Sequence, residues 1–486
     1  MIFPAPLYNL SVAEETEGGG LLGKRAVVIG SGVGGAAAAA LLAGKGLRVT
    51  LLEGQDFLGG RCASLERDGF RYDFGVHMFS RGPRGPLGEV GRRVKGRLRW
   101  VLKDRPCRVM GRADFTFPLD IRPLARQAEL AGNLGVKPRN LPGAFLLIRS
   151  LLAGLGAGTR DGETVRSFAS RYTDDQMVHL FLNCLCQLYF ALSYGEASAG
   201  EFAWCFSRMF NDASFGYPAG GGGAIPSAYV DGLRRLGGEV RLGERVRSLG
   251  VEEGRVKSVG TDREEYPADL VVSNAGLKAT LALAGPENFP PEYVRAAEGM
   301  RDSNAYVTIK YALERPVVDA PVVFYMPEAP AASIFDYVAE GRPPDDPYIF
   351  MPVPSNWDPS LAPQGRQLVI AGTAAPCDAS EELCGAILDR VDRKVRELFP
   401  ALQDQVMWQV RSSAEDTRGL TGHGSGECIG LAQVPGQVGK DRPSHRTPVE
   451  GLWLVGADAG ARGIGTEMAA GSALGLLDVL VRSGVA

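Results

Sequence analysis

Near the start of the chain, residues 26–29 (Ala-Val-Val-Ile) form a short unbroken apolar run, the pattern of a strand buried on both faces. Residues 33–43, rich in glycine and alanine, have the length of a helix, and residues 47–52 form a second apolar run. Strand, helix and strand in that order predict a βαβ unit. Further on, residues 141–158 and 174–195 are strongly apolar. In the second stretch Met177, Leu180, Phe181, Cys184, Leu185, Leu188 and Tyr189 keep helical spacing, and Leu182, Cys186, Phe190 and Leu192 fill the other side. Asp174 is placed to cap that helix. A helix apolar almost all round is core, lines an apolar tunnel, or touches a bilayer. Arg97, Arg99, Val101 and Lys103 alternate with Leu98, Trp100 and Leu102, which predicts a strand with one basic face. That face is a solvated outer surface, or it meets an anionic substrate group or lipid. Strands are predicted at 304–311, 322–326, 348–353 and 367–372, and an amphipathic helix at 382–400.

Composition narrows the class. The chain has 486 residues, 45% hydrophobic and 22% charged, which fits a multi-domain globular protein and excludes a largely disordered one. A net charge of -3 offers no basic field for nucleic acid. The eight cysteines include no C-x-x-C pair and no histidine at zinc-ligand spacing, so neither a disulfide framework nor a metal site is expected. A reducing, cytoplasmic setting fits that usage. No run of 18 or more apolar residues is long enough to span a membrane, which leaves peripheral contact through the apolar helices as an open alternative. Residues 1–23 lack a basic start and a cleavable apolar region, and read as a short leader.

Glycine, 64 residues, is the outlier. Gly30-Ser31-Gly32-Val33-Gly34-Gly35 sits between the first strand and its helix. There Gly30 would turn the chain, Gly32 would let a pyrophosphate approach the backbone, and Gly35 would let the helix lie against the sheet. The helix N-terminus offers free N–H groups to phosphates. Glu53, at the end of the second strand, can accept hydrogen bonds from a ribose diol. The glycines alone are weak evidence, because Gly18, Gly20 and Gly23 repeat the spacing with no strand before them. Strand, helix, second strand and terminal acid in register make a dinucleotide site.

Gly59, Gly60 and Arg61 follow that acid, then Asp73, Gly75 and His77. In these residues the chain resembles the FAD-dependent amine oxidase and phytoene desaturase superfamily. The likeness continues through residues 215–249, 268–276, 355–365 and 448–480, and is strongest for the phytoene desaturase and carotenoid isomerase branch. It implies that the backbone of Val246 contacts adenine. It implies also that Gly456 and Asp458 belong to a terminal FAD motif, and that Gly465, Thr466, Glu467 and Met468 open a last helix pointing at the flavin. It implies an α/β fold, α+β overall, with a discontinuous Rossmann-like FAD-binding domain at 24–95, 216–300 and 415–486. A substrate domain with apolar helices would occupy 96–215 and 301–414. The helix opening at Gly465 lacks the aromatic residue that amine oxidases often place by the flavin, and no cysteine stands where a covalent link is expected, so FAD is expected to be non-covalent.

The resemblance implies an FAD-dependent oxidoreductase that desaturates, saturates or isomerises C–C bonds of an apolar isoprenoid or alicyclic substrate. An amine or amino-acid oxidase, and a flavin-binding protein without turnover, are the alternatives. His77, His423 and Glu467 are the candidates for proton transfer; His179 and His445 read as structural. The electron acceptor stays open, and the protein is expected as a monomer or homodimer.

Overall fold

The computed structural model describes residues 23–75, 78–103, 107–154, 158–422 and 424–483. The first apolar run forms the strand Arg25–Ile29. It pairs in parallel with Arg48–Leu52 on one side and Leu270–Ser273 on the other. Leu452–Leu454 and Glu239–Arg241 add the outer strands, giving a five-stranded, all-parallel sheet drawn from distant parts of the chain. Helices cover such a sheet on both faces, which is why its strands read as unbroken apolar runs. The helix Val33–Ala43 is buried along its whole length between the sheet and the helices Ala224–Arg235 and Gly465–Arg482. Its alanines allow that close approach.

A seven-stranded mixed sheet forms the second layer. Its order is Val406–Ser412, Ala305–Leu313, Gln367–Ala375, Ile349–Pro352, Val322–Met326, Cys107–Gly111 and Phe115–Thr116. The strand Cys107–Gly111 joins in parallel with Val322–Met326. Helix Glu381–Leu398 packs on Ala305–Leu313 and Gln367–Ala375, and helix Gln176–Phe190 touches Val322–Met326. Among the described residues no helix is long and apolar enough to cross a membrane.

Three local expectations change. The cap of the second apolar helix is Asp175, not Asp174. Its carboxylate accepts the Met177 N–H at 3.0 Å and also the Lys137 N–H at 3.0 Å, so it ties two segments together as well as ending a helix. The basic strand is shorter than the alternation predicted, only Trp100–Leu102, because its partner Gly216–Pro218 is equally short. Strands Cys107–Gly111 and Val406–Ser412 were not expected. The leader, up to residue 22, lies outside the described residues.

Candidate active site

A cavity of about 590 Å3 runs along the carboxyl ends of the parallel strands. Strand ends of this kind are where open α/β sheets bind ligands. Gly30 turns the chain at φ +87° and donates its N–H to the Leu52 carbonyl at 2.8 Å. A Cβ on Gly35 would lie 1.9 Å from the Gly30 carbonyl oxygen, and one on Gly34 would lie 2.8 Å from the Cα of Gly456. Gly30, Gly32, Val33 and Gly34 line the cavity, whereas Gly35 lies beneath the turn.

Ser31 is fully buried and works from behind. Its N–H and hydroxyl donate to one Glu53 oxygen at 2.8 and 2.6 Å, and its Oγ accepts the Gly59 N–H at 3.0 Å. The other Glu53 oxygen accepts the Gln55 N–H at 2.9 Å. Glu53 is therefore held rigid on the cavity wall. Gly59 and Gly60, both at positive φ, bring Arg61 to the same wall. Arg61 donates to the Glu427 carbonyl at 3.0 Å and lies 3.4 Å from its carboxylate. Val246 lines the cavity at the start of the strand Val246–Glu252. Asp458 lines it too, while its two oxygens accept the N–H groups of Leu277 and Leu431, each at 2.9 Å. Gly465 and Thr466 line it at the first turn of the last helix. Gly456 and Met468 do not. Gly456 donates its N–H to the Ser472 hydroxyl at 3.1 Å, and Met468 is fully buried against Gly463.

A second cavity of about 390 Å3 shares Met78, Leu188 and Tyr189 with the first. Its walls are apolar: Phe181, Cys184 and Leu185 from helix Gln176–Phe190, Phe210 from helix Ala199–Asp212, and Val109, Phe324 and Met326 from the mixed sheet. The apolar helix is thus core on one side and cavity wall on the other. Burial pushes the thiols of Cys107 and Cys184 up, so neither is a ready nucleophile.

Residues 33–474 match the family described as flavin containing amine oxidoreductase. The chain belongs to that family. It is a flavin-dependent oxidoreductase. Among similar proteins is a zeta-carotene-forming phytoene desaturase from Myxococcus xanthus, 28% identical over 475 residues, with 90% of each chain covered. A chloroplastic prolycopene isomerase from Arabidopsis thaliana is 25% identical over 498 residues, covering 89% of this chain and 78% of its own. These relatives place the chain in the phytoene desaturase and carotenoid isomerase branch. A solved oxidoreductase from Methanosarcina mazei superposes with a TM-score of 0.74 at 22% identity, covering 94% of this chain and all of that one, which shows the fold. The glycine cradle, the carboxylate of Glu53 and the cation of Arg61 fit a flavin dinucleotide: the turn has no Cβ where a phosphate would approach, and an acceptor for a ribose diol and a cation for a pyrophosphate line the same cavity.

The proton-transfer candidates of this flavin enzyme fare differently. His77 and His423 lie outside the described residues. Glu467 is buried and lines neither cavity, but it accepts the Arg81 N–H at 2.8 Å and the hydroxyl of Ser80, a wall residue of the smaller cavity, at 3.4 Å; it makes no capping bond within its own helix. Burial pushes its carboxyl up to about 7. The folded state then binds more protons than the unfolded one between about pH 4.5 and 7, so stability falls as pH rises through that window. Glu467→Gln is expected to match the parent near pH 4.5 and to exceed it by about 2 kcal/mol at pH 8 in urea unfolding. Equal stability at pH 8 would refute a buried carboxylate there.

Four residues of the site escaped the sequence reading. Asn274 sits where the glycine turn and Gly456 converge: a Cβ on Gly32 would lie 2.9 Å from its Nδ2 and one on Gly456 2.4 Å from its Oδ1. Glu427 partners Arg61. Arg245 reaches between Gly54 and Gly422 on the cavity wall. Lys310 is fully buried and donates to Thr308 Oγ1 at 2.7 Å and Ser412 Oγ at 2.6 Å, with its Nζ 5.4 Å from the centre of the Phe74 ring. Thr308, Ser412 and Phe74 all line the larger cavity. Burial pulls the Lys310 ammonium down to about 7. Only a lysine inside the apolar strand Ala305–Leu313 hinted at it.

Proposed function

We propose that the protein holds FAD non-covalently in the larger cavity and acts on C–C bonds of an apolar, isoprenoid-like substrate in the smaller one, by desaturation, saturation or isomerisation. The observation that carries this reading is the shared wall of Met78, Leu188 and Tyr189, where the glycine-lined cavity meets an apolar one. When bound, the flavin accepts or returns a hydride at N5.

The chain's own residues do the rest. Glu53 accepts from the ribose diol, the turn at Gly30–Gly34 and the helix behind it take the pyrophosphate, and Arg61 offsets its charge. The backbone of Val246 meets adenine. Gly465 and Thr466 present a helix N-terminus that stabilises negative charge on the ring. Tyr189 and Leu188 press the substrate towards that end and keep water out. Lys310, with His77 and His423, provides the groups for moving a proton. Residues 24–95, 216–300 and 415–486 hold the cofactor, and 96–215 and 301–414 shape the substrate side. The thiols on the larger cavity, Cys62 and Cys428, are both raised by burial, Cys428 to about 12, which supports a non-covalent flavin. The names of the relatives, a phytoene desaturase and a prolycopene isomerase, support a polyene substrate. An amine would need an available anion in the smaller cavity, and among its described lining residues the one carboxylate, Asp120, is already clasped by Arg122.

The test is product analysis after anaerobic mixing of the flavin-loaded protein, once with the flavin oxidised and once after its reduction with dithionite, with phytoene, prolycopene and retinoate. Altered double bonds in at least one, with FAD released intact on denaturation, is the expected result. Flavin bleaching by an amine such as putrescine, with every polyene unchanged, would turn the reading to amine oxidation.

A further inference from the structure

The smaller cavity is closed where it meets the larger one and open at its surface residues. At the junction with the larger cavity Tyr189 is fully buried, whereas Leu102 at the other end is 55% exposed. Three charged side chains line it among the described residues, Lys103, Asp120 and Arg122, and Lys103 follows Leu102 directly at that open end. Asp120 is occupied. Its oxygens accept from the Arg122 guanidinium at 2.8 and 3.0 Å and from the Arg122 backbone N–H at 3.1 Å. The pair cancels, and it fixes the guanidinium on the cavity wall. Lys103 leaves the rim with a net positive charge. The helix Leu124–Asn133 begins two residues after Arg122, with no side-chain cap and no acid in its first turn. Its positive end adds to the same field.

We propose that the substrate is an amphipathic anion. Its apolar body lies along Phe181 and Phe210 and reaches the flavin at Tyr189, and its carboxylate or phosphate stays at the rim with Lys103 and Arg122. This rests on reading the smaller cavity as the substrate pocket, and it narrows that reading to molecules with a charged end. A purely hydrocarbon substrate would leave the rim cations without a purpose. A fixed Arg–Asp pair and one lysine, the charged side chains among the described lining residues, suit one head group rather than an extended charged surface.

The test uses the full-length, flavin-loaded protein and three probes of one apolar body: retinoate, retinyl phosphate and uncharged retinol. Dissociation constants are measured by equilibrium dialysis at low and high salt. Both anions are expected to bind about fivefold tighter than retinol, an advantage that salt erodes. Lys103→Glu is expected to erase that advantage and leave retinol binding as it was; the tighter of the two anions identifies the head group. Equal binding of all three, or anion binding unmoved in Lys103→Glu, overturns the proposal. Loss in Lys103→Glu of binding to phosphatidylserine vesicles, without any preference among the probes, also overturns it and assigns the rim to a membrane surface. Cys184→Trp fills the pocket and is expected to abolish binding of all three. If it abolishes none, the pocket itself is misassigned, an outcome separate from a wrong head group.

Discussion

Gly35→Ala is expected to yield protein that keeps no flavin and loses about 3 kcal/mol of stability, the upper end of the usual cost of overpacking. The added methyl would stand 1.9 Å from the Gly30 carbonyl oxygen. That neighbour is backbone, fixed by the strand before it and by the Gly30–Leu52 hydrogen bond, so it cannot swing aside as a side chain could. The turn must open, and with it the cradle that Gly32 and Gly34 form. Gly385→Ala is the control: it lies inside the helix Glu381–Leu398 with nothing within 4 Å of an added Cβ. There alanine is expected to add up to about 1 kcal/mol. The ratio of flavin to protein absorbance and the urea midpoint report both. A yellow Gly35→Ala protein with the parent's midpoint would mean that the backbone contact is not as close as described.

Lys310→Met is expected to change the shape of the stability curve. The folded-state ammonium is lowered from 10.5 to about 7. Below about pH 7 both states carry the proton and the full cost of burying the charge is present. Between about 7 and 10.5 the folded state binds fewer protons than the unfolded one, so the parent gains stability as pH rises. Methionine has no charge to bury, though it leaves the hydroxyls of Thr308 and Ser412 without their donor. At pH 6 the variant is expected to be more stable by about 3 kcal/mol, and the difference between the two curves should close and then reverse towards pH 10. Other groups titrate in both proteins, so the difference curve is the measurement. A flat difference from pH 6 to 10 would show that no ammonium is buried at this position.

The first strand, glycine turn, helix and second strand could be read from the chain because their pattern is local. The strand Arg25–Ile29, the glycine turn and Glu53 lie within a short stretch, and a sheet covered on both faces writes itself as unbroken apolar runs. The remaining parts of the site come from pairings that leave no local mark. Nothing near Cys107–Gly111 announces that it will lie beside Val322–Met326 in one sheet. Arg61 shows its type but not that Glu427 receives it, and Glu467 shows an acid near a helix start but not that the Arg81 N–H and the Ser80 hydroxyl will donate to it. Lys310 is hidden for a different reason: a lysine in a strand ordinarily marks a solvent-facing position, and here the Phe74 ring and the hydroxyls of Thr308 and Ser412 enclose its ammonium. Asp175 prevailed over Asp174 as a cap because a second segment, around Lys137, also needed an acceptor.

The parallel sheet has a consequence for how the chain is made. Its strand at Arg25–Ile29 lies beside Leu270–Ser273, which in turn needs Leu452–Leu454 on its far side. A ribosome releases that last strand only long after the first two. Until then the alanine-faced helix and the greasy segments behind it have no finished surface to rest on, and long-range parallel pairing is slow to form. Nascent copies of this protein should therefore be frequent clients of chaperones, and premature stop codons anywhere before Leu452–Leu454 should leave aggregates rather than partly active enzyme.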